Sequence, residues 1–234
     1  MARRILVIGD PGTGKTVSCR NLNPSETFII SSDLKSLTFP GARKKYQKIT
    51  DANGKFDFSN SNYYETNSIA RISRIIKAVS DDRPEIKNVV IDTITSVIAE
   101  EIVPRLNEKG FDKFNEVAMN VYLLFRSMRG LREDLNVILL SHMENQYRED
   151  GSVRTSFKVP SGKAIGSMFV PEASFDAVLV TYVAPNSASE DEKYFFLTHN
   201  NGENTARTPM GLFSERFIPN DLSVVLSEFD KYEQ

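Results

Sequence analysis

Apolar residues in this chain gather in short continuous runs. "RILVIG" near the start, "TFIISS" (27–32), "NVVIDTI" (88–94) and "NVILLSH" (136–142) are such runs. Strands buried on both faces read this way, because both sides of the pleat meet apolar neighbours. Between them the spacing turns helical. "TNSIARISRIIKAVS" places Ile69, Ile72, Ile76 and Val79 on one face, with Thr66 or Asn67 available as a cap and Pro84 beyond the end. Phe111, Phe114, Val117, Val121, Leu124 and Met128 form a second stripe, best read as core packing. Two later runs, "FDAVLVTYV" (175–183) and "KYFFLTHN" (193–200), flank "APNSASEDE", a stretch of hairpin length. "DLSVVLSEFDKY" predicts a closing helix with Asp221 as its cap. The alternation predicts an α/β fold: a mostly parallel sheet flanked by helices, with a C-terminal antiparallel strand pair, in one domain over residues 1–234.

Composition narrows the class. Hydrophobic residues make up 40% and charged residues 26%, which suits a globular chain and not a disordered one. The net charge of -2 gives no global basic field, so any nucleic-acid contact must come from a local patch. Cys19 is the one cysteine, which excludes an internal disulfide or a cysteine zinc site and points to a reducing compartment. The opening segment is too short for a signal peptide, and no run is long enough to cross a bilayer. A soluble, cytoplasmic protein with no membrane partner is expected.

The first strand runs into "GDPGTGKT", which matches G-x-x-x-x-G-K-[ST] through Gly9, Gly14, Lys15 and Thr16. The glycines let backbone N–H groups turn inward around phosphate oxygens. Lys15 reaches the β- and γ-phosphates, and Thr16 offers a hydroxyl to Mg²⁺. Gly9, Asp10, Pro11, Gly12, Thr13, Gly14, Lys15, Thr16 and Val17 are the expected ATP-binding set. A helix over "KTVSCRNL" is expected to add its dipole.

Asp92 ends a buried strand, the edge where parallel sheets bind ligands, and is the expected partner of Thr16 at Mg²⁺. No acid follows it in "DTITS", which counts against the paired-acid arrangement common in AAA+ proteins. Hydrolysis needs a group to position water. Asp33, after the second strand, is the first choice, with Glu100 and Glu101 behind it; a turn or cap role is the plainer reading of Asp33. Thr93 and Thr95 lie close by. His142 ends "NVILLSH" and is placed to sense a γ-phosphate or to serve structurally. The following stretch, 146–171, carries Arg148, Arg154, Phe157, Lys158 and Lys163, residue types that bind phosphates and stack on bases. A solvated loop is the alternative. "GARKKYQKI" is a second, weaker basic patch. Arg207, beside a Thr-Pro turn in "NTARTPMGLF", suits a finger reaching the nucleotide of a neighbouring subunit, or a surface ion pair.

In this order of parts the chain resembles a RecA-type core, and more narrowly the small RecA-like ATPases of bacteriophages, including the Sak-type single-strand annealing proteins. "GDPGTGKT", "NVVIDTIT", "VILLSH", "SGKAIG", "FDAVLVTYV" and "NGENTARTPMGLF" carry the likeness. The resemblance implies an ATPase that forms rings or filaments with nucleotide between subunits, and single-stranded DNA held by the loops after the sensor strand. It assigns Arg207 as the trans-acting cation, Asp33 as the acid that polarises water and His142 as the sensor, where RecA itself has glutamine. A phage single-strand-binding protein is an implied partner, and the host cytoplasm the implied location. RecA recombinases carry glutamate where Asp33 stands and have further terminal domains, so annealing or mediator work fits better than strand exchange. Other readings are a monomeric P-loop kinase for a small molecule, an AAA+ loader, and a nucleotide-dependent interaction module without turnover. Few residues follow "MGLF", which disfavours the helical lid expected of an AAA+ loader.

Overall fold

The computed structural model describes residues 1–110, 112–158, 170–185 and 193–233. Among them, eight strands form one sheet in the order β10-β9-β8-β1-β5-β4-β2-β3. The four expected runs become β1 (Arg3–Ile8), β2 (Thr27–Ser31), β4 (Asn88–Asp92) and β5 (Asn136–Ser141), all in parallel register, with β3 (Tyr63–Glu65) on the edge beside β2. β8 (Ala177–Val183) lies parallel to β1, and β9 (Tyr194–Leu197) returns antiparallel to it. β10 (Phe217–Pro219) closes that edge, antiparallel to β9. The fold is the expected α/β core with its C-terminal antiparallel strands.

The continuous apolar runs are explained by burial on both sides. Leu6, Ile8, Phe28, Ile30, Val89, Ile91, Val137 and Leu139 point to one face of the sheet. That face is covered by α2 (Ile69–Asp82), α3 (Ile94–Ile102) and α4 (Asp112–Ser127). The alternate residues Ile5, Val7, Ile29, Val90, Ile138 and Leu140 meet α5 (Leu222–Tyr232) and the short α1 (Ala42–Lys45) on the other. α2 buries Ile69, Ile72, Ile76 and Val79 as expected, but Ser68 is its cap, accepting from the Arg71 N–H. α4 buries Val117, Val121 and Leu124, with Met128 just past its end; Phe111 lies outside the described residues. Asp221 caps α5 as expected, accepting from the Ser223 N–H at 2.9 Å.

Three features depart from expectation. The helix after the P-loop is a single 3₁₀ turn, Thr16–Cys19, and not a full helix over "KTVSCRNL". Pro24 follows closely and disfavours helical geometry at the residue before it, and β2 begins at Thr27. A turn this short adds little dipole. Second, the stretch after His142, expected to be loop, begins with a hairpin, β6 (Met143–Tyr147) paired antiparallel with β7 (Val153–Phe157). Third, β3 and β10 are three-residue edge strands that no periodicity announces.

A phosphate loop and a buried carboxylate at one sheet edge

The C-terminal ends of β1, β5, β4 and β2 align along one edge: Ile8 lies beside Ser141, Leu140 beside Asp92, and Asp92 beside Ser31. The P-loop leaves β1 here, its Gly9 N–H donating to the Ser141 carbonyl at 3.0 Å. Gly9 has no room for a side chain as the site stands: a β-carbon there would lie 1.8 Å from Thr181 Oγ1, so Thr181 would have to shift. Gly12 and Gly14 take φ of 80° and 92°, the left-handed region open to glycine. Thr13 donates its hydroxyl to the Asp10 carbonyl at 2.7 Å and so accepts from Thr181, 2.6 Å away on β8. Pro11 and Gly12 are exposed at the loop's crest.

Lys15 is 6% exposed and folds back over the loop, donating to the carbonyls of Gly9 and Asp10 at 2.8 Å each. Burial pulls its ammonium down to about 8, against the pull of Asp92, Asp10 and Asp33. Thr16 donates to Asp92 Oδ2 at 2.6 Å. Asp92 is 6% exposed, and burial pushes its carboxyl up to about 6; the charge of Asp33 adds to this, while the Thr16 hydroxyl and Lys15 oppose it. Val17 continues the turn beyond the loop.

Asp33 follows β2, with its side chain partly exposed and 3.5 Å from the Lys35 ammonium. His142 directly follows β5. Its N–H donates to Thr95 Oγ1 at 2.9 Å, and Thr95 also meets Ser141 Oγ at 2.8 Å, tying α3 to the end of β5. The His142 ring Nδ1 is buried without a hydrogen-bond partner. Burial lowers its pKa, with Lys15 and Lys158 adding to the effect, so the ring is neutral at pH 7. Cys19 packs beneath the turn against the sheet, its thiol pushed far up by burial. Glu100 and Glu101 lie toward the far end of α3, and the Asn120 amide reaches Glu101. Among the described residues, no three His, Cys, Asp or Glu side chains form a metal cluster. The hydroxyl of Thr16 and the carboxylate of Asp92 are the hard oxygen donors that Mg²⁺ takes together with phosphate.

The hairpin β6–β7 is rooted at this edge, its base closed by the Lys158 N–H donating to the His142 carbonyl at 3.0 Å. Arg148 is exposed at its turn beside Tyr147, which is 80% exposed, and Arg154 pairs with Gln146 on one face. Lys158 is exposed, and Lys163 lies outside the described residues. Phe157 corrects the sequence reading. It is 2% exposed and belongs to the core, its N–H bound to Glu172 Oε1, so it is not a stacking platform. Arg207 bridges in β fashion to Val178, and its guanidinium turns onto the carbonyls of Glu172, at 3.0 Å, and Phe175 of its own chain.

Strand order, phosphate loop and carboxylate together define a P-loop ATPase domain of RecA-like fold. Residues 1–209 match an AAA domain, and the chain belongs to that family. The missing acid after Asp92 therefore does not set it apart from AAA-domain proteins. A solved structure of a DnaB-like replicative helicase, described with its interactions with primase, superposes with a TM-score of 0.51 at 17% identity. The match covers 92% of this chain and 57% of the helicase chain. No curated protein matches the sequence. No helix of the described residues is long and apolar enough to cross a membrane.

Proposed function

We propose that this protein binds and hydrolyses ATP with Mg²⁺ and uses that cycle to act on single-stranded DNA, in a single-strand annealing or mediator role in phage recombination or replication. The Thr16–Asp92 pair beside the P-loop carries the nucleotide part of the reading. Backbone N–H groups of the loop take the phosphates, and Lys15 exchanges the Gly9 and Asp10 carbonyls for phosphate oxygens. Thr16 and Asp92 hold the metal, which supplies charge neutralisation on the phosphates when bound. Asp33 orients the attacking water once released from Lys35, and His142, at the end of β5, serves as the phosphate sensor.

The DNA part rests on the hairpin rooted at His142. A change at the sensor reaches Arg148 and Arg154 through one short pair of strands. Subunits assemble into a ring or filament with nucleotide at their interfaces, in the host cytoplasm and alongside a phage single-strand-binding protein; Arg207, held by the Glu172 and Phe175 carbonyls of its own chain, is a structural residue and not the finger between subunits. The AAA-domain match favours a second reading, an AAA-type loader or remodelling ATPase acting on a protein partner.

The deciding experiment is ATP turnover with and without single-stranded DNA, with particle size followed in the same samples. DNA-stimulated turnover and growth of a multimer support the first reading. Stimulation by a replication protein and not by DNA supports the second. Lys15→Ala is expected to abolish nucleotide-dependent activity under either.

A further inference from the structure

Asn220 lies between β10 and α5, 3% exposed. Its backbone is fully committed. The N–H donates to the Tyr194 carbonyl at 3.2 Å, and the carbonyl accepts from the Arg20 guanidinium at 2.6 Å. The next residue, Asp221, caps α5 and also accepts from the Asn21 amide at 2.5 Å. The side chain, in contrast, is committed to nothing: Oδ1 and Nδ2 are both buried without a hydrogen-bond partner. Among the described residues, no other side chain leaves two buried polar atoms open.

That amide lies against the phosphate loop. A β-carbon built on Gly14 would stand 3.0 Å from Asn220 Oδ1 and 3.3 Å from Nδ2. A buried amide with neither end satisfied is destabilising, and such a group in a folded protein calls for an explanation, a functional role being one. Solvent does not reach these atoms, so the nearest partner is the loop itself. The loop has reason to move: Lys15 holds the Gly9 and Asp10 carbonyls, and releases them if its ammonium turns to a phosphate.

We propose that Asn220 is a positioning residue for the P-loop, its carboxamide hydrogen-bonding the loop backbone at Gly14 when the loop closes on a polyphosphate. The inference rests on the nucleotide-binding reading above. It adds that the segment before the last helix, far along the chain from the P-loop, sets the affinity of that site. The backbone anchors hold the amide in place beforehand, so little side-chain freedom is lost when the bonds form.

Asn220→Leu tests this, since leucine has nearly the same shape and needs no partner. The ligand-free melting temperature is expected to equal or exceed that of the wild type. Binding of Mg·ATP and of inorganic tripolyphosphate with Mg²⁺, measured by calorimetry, is expected to weaken by about tenfold in both cases, the worth of roughly one hydrogen bond. Asn220→Ala, which cannot clash, is expected to show the same weakening. Unchanged affinities in the variants overturn the proposal. A loss for ATP alone also overturns it, since the amide then serves the base or ribose. A wild-type protein that binds neither polyphosphate overturns the nucleotide reading itself, which separates the two failures.

Discussion

The Thr16 hydroxyl donates a 2.6 Å hydrogen bond to Oδ2 of Asp92, closing the P-loop onto the end of β4. The carboxylate it meets is held in a site that disfavours charge: burial raises its pKa from 3.8 to about 6. The folded protein therefore holds this proton more tightly than the unfolded chain does. Its contribution to stability is full below about pH 4 and is lost as pH rises through about 6. A shift of this size corresponds to roughly 3 kcal/mol.

Asp92→Asn keeps an acceptor for Thr16 and removes the charge. The ligand-free variant is expected to melt above the wild type at about pH 7.5, with the gap closing near pH 4. The same variant is expected to lose Mg²⁺-dependent turnover. Melting curves across this range decide it; a variant no more stable at neutral pH means that the charge is already compensated by Lys15.

Gly9 gives a second, steric expectation. A methyl there meets Thr181 Oγ1 at 1.8 Å and Thr13 Oγ1 at 2.7 Å. Gly9→Ala is expected to cost about 1–3 kcal/mol, the range for overpacking a close-packed site. Thr181→Ala in the same chain is expected to recover part of the loss, because Thr181 Cβ still lies 3.0 Å from the new methyl. Denaturant midpoints of the two singles and the double give the coupling; strictly additive losses would show that Thr181 is not what excludes a side chain.

What the sequence made legible follows from which signals are local. Burial on both faces writes itself as continuous apolar runs, so β1, β2, β4 and β5 and the motif at their edge were readable. The P-loop and Asp92 carry residue types with narrow chemistry. Edge strands such as "YYE" and "FIP" are too short for periodicity, and β10 ends in a proline that only an edge tolerates. The β6–β7 hairpin has polar residues on both faces, yet its Asp150-Gly151 pair was a usable turn signal, with Gly151 at φ 81°. Thr181 and Asn220 carry no motif. Their relation to Gly9 and Gly14 exists only once β8 and β10 have been placed beside the loop, which is tertiary information.

Arg207 separates two roles by stability. Its guanidinium bonds two carbonyls of its own chain, those of Glu172 and Phe175. Arg207→Ala is expected to cost about 1–2 kcal/mol even in dilute protein, as charged hydrogen bonds to backbone do. A finger acting between subunits gives the opposite pattern. Melting would then stay at the wild-type value, and turnover would fall in a way that wild-type subunits mixed into the assembly partly restore.

The hairpin is tested by salt. Arg148 is exposed at its turn and Arg154 lies along one face, while Glu144, Glu149 and Asp150 sit on the same element. If the two arginines meet phosphates, removing both lowers affinity for a single-stranded oligonucleotide. It also reduces the slope of log K against log salt, by about 0.7 for each lost contact. The expected result for Arg148→Ala with Arg154→Ala is therefore weaker binding and a slope smaller by roughly 1.4, read by fluorescence anisotropy at several salt concentrations. Mg·ATP affinity is expected to hold, since the closure at His142 and Lys158 uses backbone atoms that neither substitution touches. An unchanged slope means that these arginines do not meet the nucleic acid, and makes the basic stretch 41–49, whose Arg43 and Lys48 lie beside Tyr63 of the edge strand β3, the next one to substitute.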